Sequence, residues 1–352
     1  MSLALCLMIC LQEPAAQETG LPPVESLRFA GERYFGAIRR LTTEGENAEG
    51  YFSGDGTRIT YQARFGAMEC DQIFDLDLLT GARRLISTGK GRTTCSYFLP
   101  GNESILFAST HGAADGCLEA PDFSQGYVWK VYKEFDIWVR DLKTWELKPL
   151  AAAPGYDAEG VVSPDGRKIA FTSMRGGDLD VWIMNVDGSG LKQLTNEVGY
   201  DGGAFFSPDS KRLVFRNHHP NTAETIADYK KLLAQDLIRP TTLEIWVMDA
   251  DGGNKTQVTD NGAANFAPFF HPDGKRILYS SNQDGGGRNF DLWITRDDGT
   301  GNERVTFCPL FDGFPMFSPD GKRLIFASNR ASADPHSTNL FLAEWVEPEI
   351  KQ

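Results

Sequence analysis

Three aspartates stand at matching places in three repeats of this chain: Asp157, Asp201 and Asp312. They share register with Asn47, Thr93 and Asn265, each seven residues ahead of the proline-equivalent of a recurring turn. Two residues further on come Glu49, Cys95, Glu159, Gly203, Ala267 and Phe314. Strand alternation sends residues i and i+2 to the same side. If that side is the axis of a ring, its mouth carries three Asp, two Asn and one Thr, with Glu49 and Glu159 one step deeper. Oxygen ligands converging from several strands suit a hard cation such as Ca²⁺, or the ammonium or guanidinium of a bound peptide. The competing reading is that these side chains cap strand ends and the loops between repeats.

Histidine and cysteine offer further chemistry. His111, His218 and His219 fall at the feet of two insertions, where a transition metal held with a channel carboxylate competes with solvated loop histidines. No ligand spacing backs the metal. Asn185-Val186-Asp187-Gly188 and Asp249-Ala250-Asp251-Gly252 share the opening of a calcium loop, lack its remaining ligands, and read as hairpin turns. Gly-x-Ser-x-Gly, His-Glu-x-x-His and phosphate-binding glycine loops are missing from the sequence. Of the six cysteines, Cys6 and Cys10 lie in the N-terminal segment, and Cys70, Cys95, Cys117 and Cys308 map to one face. Cys70 and Cys95 belong to neighbouring repeats and are the favoured disulfide, with free buried thiols as the alternative.

The elements that must position these residues are repeats. Ser-Pro-Asp-Gly-Lys-Arg followed by an apolar run occurs at Ser163–Phe171, Ser207–Phe215, His271–Tyr279 and Ser318–Phe326, with degenerate copies at Ser53–Tyr61 and Leu99–Phe107. The proline-equivalents at 54, 100, 164, 208, 272 and 319 give a period near 45 with two longer units. Each unit then carries an aromatic strand, such as Val181-Trp182 or Ile245-Trp246. The next piece is a hairpin such as Asp187-Gly188-Ser189-Gly190, leading to a strand ending in Leu-Thr or Val-Thr at Leu194-Thr195, Val258-Thr259 and Val305-Thr306. Four strands per unit make a propeller blade. The expectation is an all-β, six-bladed β-propeller over 34–347, with blades at about 47–89, 93–152, 157–198, 201–262, 265–309 and 312–345. The last unit stops one strand short, and Phe35–Thr42 matches the missing strand, so residues 34–42 complete blade six and close the ring. Both long units owe their length to links between second and third strands, His111–Glu134 and His218–Thr242, so both insertions rise from one face, here called the top. Glu224–Arg239 reads as a helix whose stripe of Ile226, Tyr229, Leu232, Leu233 and Leu237 packs on the propeller.

Charge narrows the partners. With 35 Lys and Arg against 48 Asp and Glu, the net charge of −13 leaves no basic field for nucleic acid or an anionic membrane surface. No apolar run reaches the roughly 18 to 20 residues of a spanning helix. Residues 1–20 combine the apolar run Leu3–Leu11 with a small, polar stretch, the shape of a signal peptide without its basic start, and 21–33 read as a linker. A periplasmic or secreted location follows as an expectation. Ile9 ahead of Cys10 argues against lipidation.

Phe-Ser-Pro-Asp-Gly-Lys-Arg-Leu-Ile-Phe at 317–326 and Glu-Ile-Trp-Val-Met-Asp-Ala-Asp-Gly-Gly-Asn at 244–254 resemble TolB-type β-propeller repeats, found in periplasmic TolB and in the propellers of tricorn-like and prolyl-oligopeptidase-like peptidases. The resemblance covers about 34–345 and implies the fold; TolB's additional α/β domain finds no room ahead of the ring. Two functions follow as expectations. One is a non-catalytic binding or scaffold propeller holding a peptide, protein or glycan at the top face and channel mouth, in association with the cell envelope. The other is a metal-dependent lyase or hydrolase with a top-face His and carboxylate site.

Overall fold

A computed structural model of the chain describes residues 27–348, apart from residues 286, 333, 335 and 336. The proposed signal segment, with Cys6 and Cys10, lies outside the described residues. Six four-stranded antiparallel sheets form the blades of a propeller. Their inner strands are Glu46–Phe52, Thr93–Phe98, Asp157–Val162, Tyr200–Phe206, Asn265–Phe270 and Asp312–Phe317. The ring closes as the missing strand requires: Phe35–Arg40 pairs antiparallel with Asn339–Trp345 at the outside of blade 6.

Both repeat signatures have a structural cause. In the turn, the Ser163 hydroxyl donates to Asp165 at 2.6 Å, and Ser53–Asp55, Ser207–Asp209 and Ser318–Asp320 repeat the bond. The next position is left-handed, which Gly adopts freely at 56, 166, 274 and 321, and which Ser210 takes at φ 62°. The last aromatic of the turn motif then meets the aromatic of the third strand as a direct cross-strand pair. Tyr61↔Phe74, Phe107↔Trp138, Phe171↔Trp182, Phe215↔Trp246, Tyr279↔Trp293 and Phe326↔Phe341 are these six pairs. The second-strand member is almost fully buried in every blade, so each pair anchors the packing of its blade on the next.

Each inner strand breaks its own alternation. Glu49, Cys95, Glu159, Gly203, Ala267 and Phe314 all have φ between 48° and 58°, and the register with the second strand slips around each of them. A bulge at the same place in all six blades re-aims the side chains on either side of it. The two sets of residues that simple alternation sends together therefore part company.

The insertions also differ from expectation. The helix α1 spans Ala223–Leu233, opened by a Thr222 and Thr225 capping box, and ends before Leu237. Leu237–Ile238 instead pairs with Trp129–Lys130 of the other insertion, so the two excursions lock to each other. Tyr229 and Leu232 are the buried members of the helical stripe, and the Tyr229 hydroxyl bonds Asp178 of blade 3.

Candidate functional site

The six residues that open the inner strands tie the blades together. Their backbone N–H groups each donate to the preceding blade: Asn47 to Thr338 O, Thr93 to Asp71 O, Asp157 to Phe135 O, Asp201 to Leu179 O, Asn265 to Leu243 O and Asp312 to Phe290 O, at 2.8 to 3.2 Å. Their side chains are buried and engaged. Asn47 Nδ2 donates to Thr338 O at 2.9 Å, Thr93 Oγ1 to Asp71 O at 2.8 Å, and Asn265 Nδ2 to Leu243 O at 2.8 Å. The three aspartates each meet a basic side chain of their own blade, eighteen residues on. Asp157 pairs with Arg175, Asp201 with His219, and Asp312 with Arg330. None of the six lines the cavity on the channel axis. Arg330 bridges Asp312 to Glu32 at 2.9 Å on each side, with all three buried, so the segment read as a linker supplies a buried acid to blade 6.

The bulge residues face the axis. Glu49, Cys95, Glu159, Gly203, Ala267 and Phe314 all line a cavity of about 20 Å³, room for one water. Glu159 accepts from Thr172 Oγ1 at 2.6 Å, Gly203 N at 2.9 Å and Tyr200 OH at 3.1 Å, and pairs with Arg216. Glu49 accepts from Cys95 N at 3.1 Å. Burial, aided by the Glu159 charge, pushes the Glu49 carboxyl up to about 7, and burial with both glutamates close by pushes the Cys95 thiol well up. Arg216 is the residue that sequence reasoning passes over. Its signal was present: Gln62, Ala108, Thr172, Ser280 and Ala327 hold the same repeat position, and only blade 4 places a charge there. Gly203 makes the room, because a Cβ on it would lie 2.5 Å from Arg216 Nη1.

Above the channel, the guanidinium of Arg216 lies under the Trp129 ring at 5.4 Å. The paired strands of the insertions thus roof the axis. Trp129 Nε1 donates to Tyr127 OH at 3.1 Å, and Tyr127 and Phe123 are 60% and 57% exposed at the crest of the first insertion. That insertion is anchored by a disulfide, which joins Cys70 to Cys117 and leaves the Cys95 thiol free. The expected Cys70–Cys95 bridge is corrected here: the bulge turns Cys95 to the axis, while Cys117 rides the insertion back over blade 1. The histidines divide. His111 Nδ1 bonds Ser109 Oγ at 2.8 Å beside Trp138, and His218 Nδ1 meets Thr242 O at 2.8 Å; burial lowers both pKa values. Among the described residues, only His219 joins a group of three metal-ligating side chains, with Asp201 and Glu197.

Residues 120–225 match the family model of the TolB beta propeller domain. Residues 120–225 thus carry TolB-type propeller sequence within a six-bladed β-propeller. The chain is similar to TolB from Acinetobacter baumannii at 20% identity and a TM-score of 0.58, over 76% of its own length and 55% of that chain. It therefore spans little more than half of that protein. It is also similar to an oligogalacturonate lyase in complex with manganese, at 16% identity and TM-score 0.52 over 91% and 95% of the two chains. An oligogalacturonate lyase from Vibrio parahaemolyticus matches at 12% identity and TM-score 0.51, over 88% and 93%. These likenesses show the fold. No curated protein sequence matches the chain. Among its described residues, no helix is long and apolar enough to cross a membrane.

Proposed function

We propose that this TolB-like propeller is a non-catalytic binding protein of the periplasm or the secreted fraction, whose top face holds a peptide or protein segment. The observation that carries the reading is the crest of the first insertion, where Phe123 and Tyr127 stand exposed over a roof that is itself braced by the second insertion and by the Cys70–Cys117 bridge. Aromatic rings held on a rigid support lose little freedom on binding and anchor apolar side chains. Asp115, Glu119 and Asp122 are exposed on the same insertion, and the net charge is −13, so a segment with Lys or Arg beside its apolar residues is favoured. The disulfide supports an oxidising compartment.

Panning the purified protein against a random peptide display library tests the reading. Enriched peptides should combine basic and apolar residues, and the double variant Phe123→Ser, Tyr127→Ser should weaken the best of them at least tenfold, with folding unchanged because both rings are exposed. Peptides that bind the double variant equally well, or binding of glycans alone on a glycan array, overturn it.

A further inference from the structure

We infer that Glu197, Asp201 and His219 form a binding site for one divalent transition-metal ion of the zinc class at the junction of blades 3 and 4. The repeat frame itself makes the site. In blades 3, 4 and 6 the first inner-strand residue meets the residue eighteen positions on, beyond the second strand, and in blades 4 and 5 it lies near the link residue four positions before it. Blade 5 displays this contact with amides: Asn265 Nδ2 donates to Asn261 Oδ1 at 2.8 Å, and Asn261 Nδ2 donates to Gln283 Oε1 at 2.9 Å. In blades 3 and 6 the eighteenth position is Arg175 or Arg330, a permanent cation that cannot ligate a metal. Blade 4 alone fills all three places with ligand types, Glu197, Asp201 and His219, and their ligand atoms lie within 4.8 Å of one another.

The geometry suits a small ion. Metal to ligand distances of about 2.0 to 2.1 Å place neighbouring ligands of a tetrahedral site about 3.3 Å apart, and His219 Nε2 lies 3.1 Å from both oxygens of Asp201. Asp201 is fully buried and held through its N–H on Leu179 O at 2.8 Å, so it is preset. Gly199 clears the ring, since a Cβ there would stand 2.8 Å from His219 Cδ2. Glu197 is the adjustable member. Its side chain is 47% exposed and its oxygens hold Lys255 Nζ at 2.6 and 2.8 Å. The ammonium thus occupies the flank that a metal would claim. One nitrogen and two carboxylates leave a fourth position open, the donor set of an accessible rather than a sealed zinc site. The site is independent of the aromatic face proposed above.

Titration calorimetry of ZnCl₂ into the full, chelator-treated chain decides it. One equivalent should bind with a micromolar or tighter Kd; Glu197→Gln and His219→Gln should each weaken it at least tenfold, and Lys255→Met should tighten it. His219→Gln strips the partner from a buried carboxylate and risks the fold. Glu197→Gln changes an exposed side chain and keeps the test decisive. Absence of saturable binding, or a Glu197→Gln variant that binds zinc as the native chain does, refutes the site.

Discussion

Glu49 offers a direct measure of how dry the channel is. Desolvation raises its carboxyl from 4.5 to about 7, and the Glu159 charge adds to the rise while Cys95 and Arg216 oppose it. A folded-state pKa above the unfolded value contributes stability that is fully present below about pH 4.5 and is lost as pH rises through about 7. At about 1.4 kcal/mol per pH unit, with a discount for the surface Glu49 keeps toward the axis, ionising it costs about 2 to 3 kcal/mol. Glu49→Gln removes the charge, and its amide oxygen can still accept from Cys95 N. Urea unfolding of both proteins at intervals from pH 4.5 to 8 should show equal stability at the acid end and a variant more stable by about 2 to 3 kcal/mol above pH 7.5, or roughly 3 to 4 °C in Tm. Asp291 and Asp180, raised to about 7 and about 6 by burial, shift both curves alike and cancel in the difference. A variant that tracks the wild type across the whole range would mean that water solvates Glu49 and that the channel is wet.

Deleting residues 1–44 removes the outer strand of blade 6, with Phe35 and Ile38 each 1% exposed, and strips Glu32 from Arg330. It should cost several kcal/mol, and an unchanged melting temperature by circular dichroism would reject closure by strand capture. Non-reducing peptide mapping should recover Cys70 linked to Cys117. Cys117→Ser should lower stability by up to about 4 kcal/mol for a loop of this length, Cys95→Ser should leave the bridge intact, and a Cys70–Cys95 peptide would contradict the assignment.

The architecture was legible because both of its signals are local and repeated. A turn that needs Ser, Asp and a left-handed residue, and an aromatic pair that needs two large rings in register, leave fixed marks in sequence. The inner-strand bulge leaves none. Its left-handed position is filled by Glu49, Cys95, Glu159, Ala267 and Phe314 as well as by Gly203, so no shared residue type announces it, and alternation read through it points the aspartates at the axis. Their true partners were in plain view at a constant interval. Asp157, Asp201 and Asp312 are followed eighteen residues later by Arg175, His219 and Arg330, whereas Asn47, Thr93 and Asn265 are followed by Phe65, His111 and Gln283. Acids are matched by residues that carry or can take positive charge, and the neutral positions lack a permanent cation. The contact between Trp129–Lys130 and Leu237–Ile238 joins segments too distant and too short for any periodicity to register. Leu237 continues a helical stripe by spacing while serving a strand in fact.

That matching separates what the ring needs from what it carries in addition. A buried carboxylate at a blade junction costs several kcal/mol unless a cation meets it, so Asp157–Arg175 and Asp312–Arg330 are explained by the fold alone. Three features are not. Arg216 places a charge where five other repeats have none, and Gly203 gives up a side chain to admit it. His219 puts an exchangeable base where Arg stands in blades 3 and 6. The insertions of blades 2 and 4 meet over the intervening blade, and Trp129 comes down onto Arg216. All three fall on blades 2 to 4, while blades 1, 5 and 6 lack the long insertions. The ring's own stability does not require this asymmetry, and it falls on the side of the top face, over blades 2 to 4, that carries the exposed aromatic crest on which the proposed binding function rests.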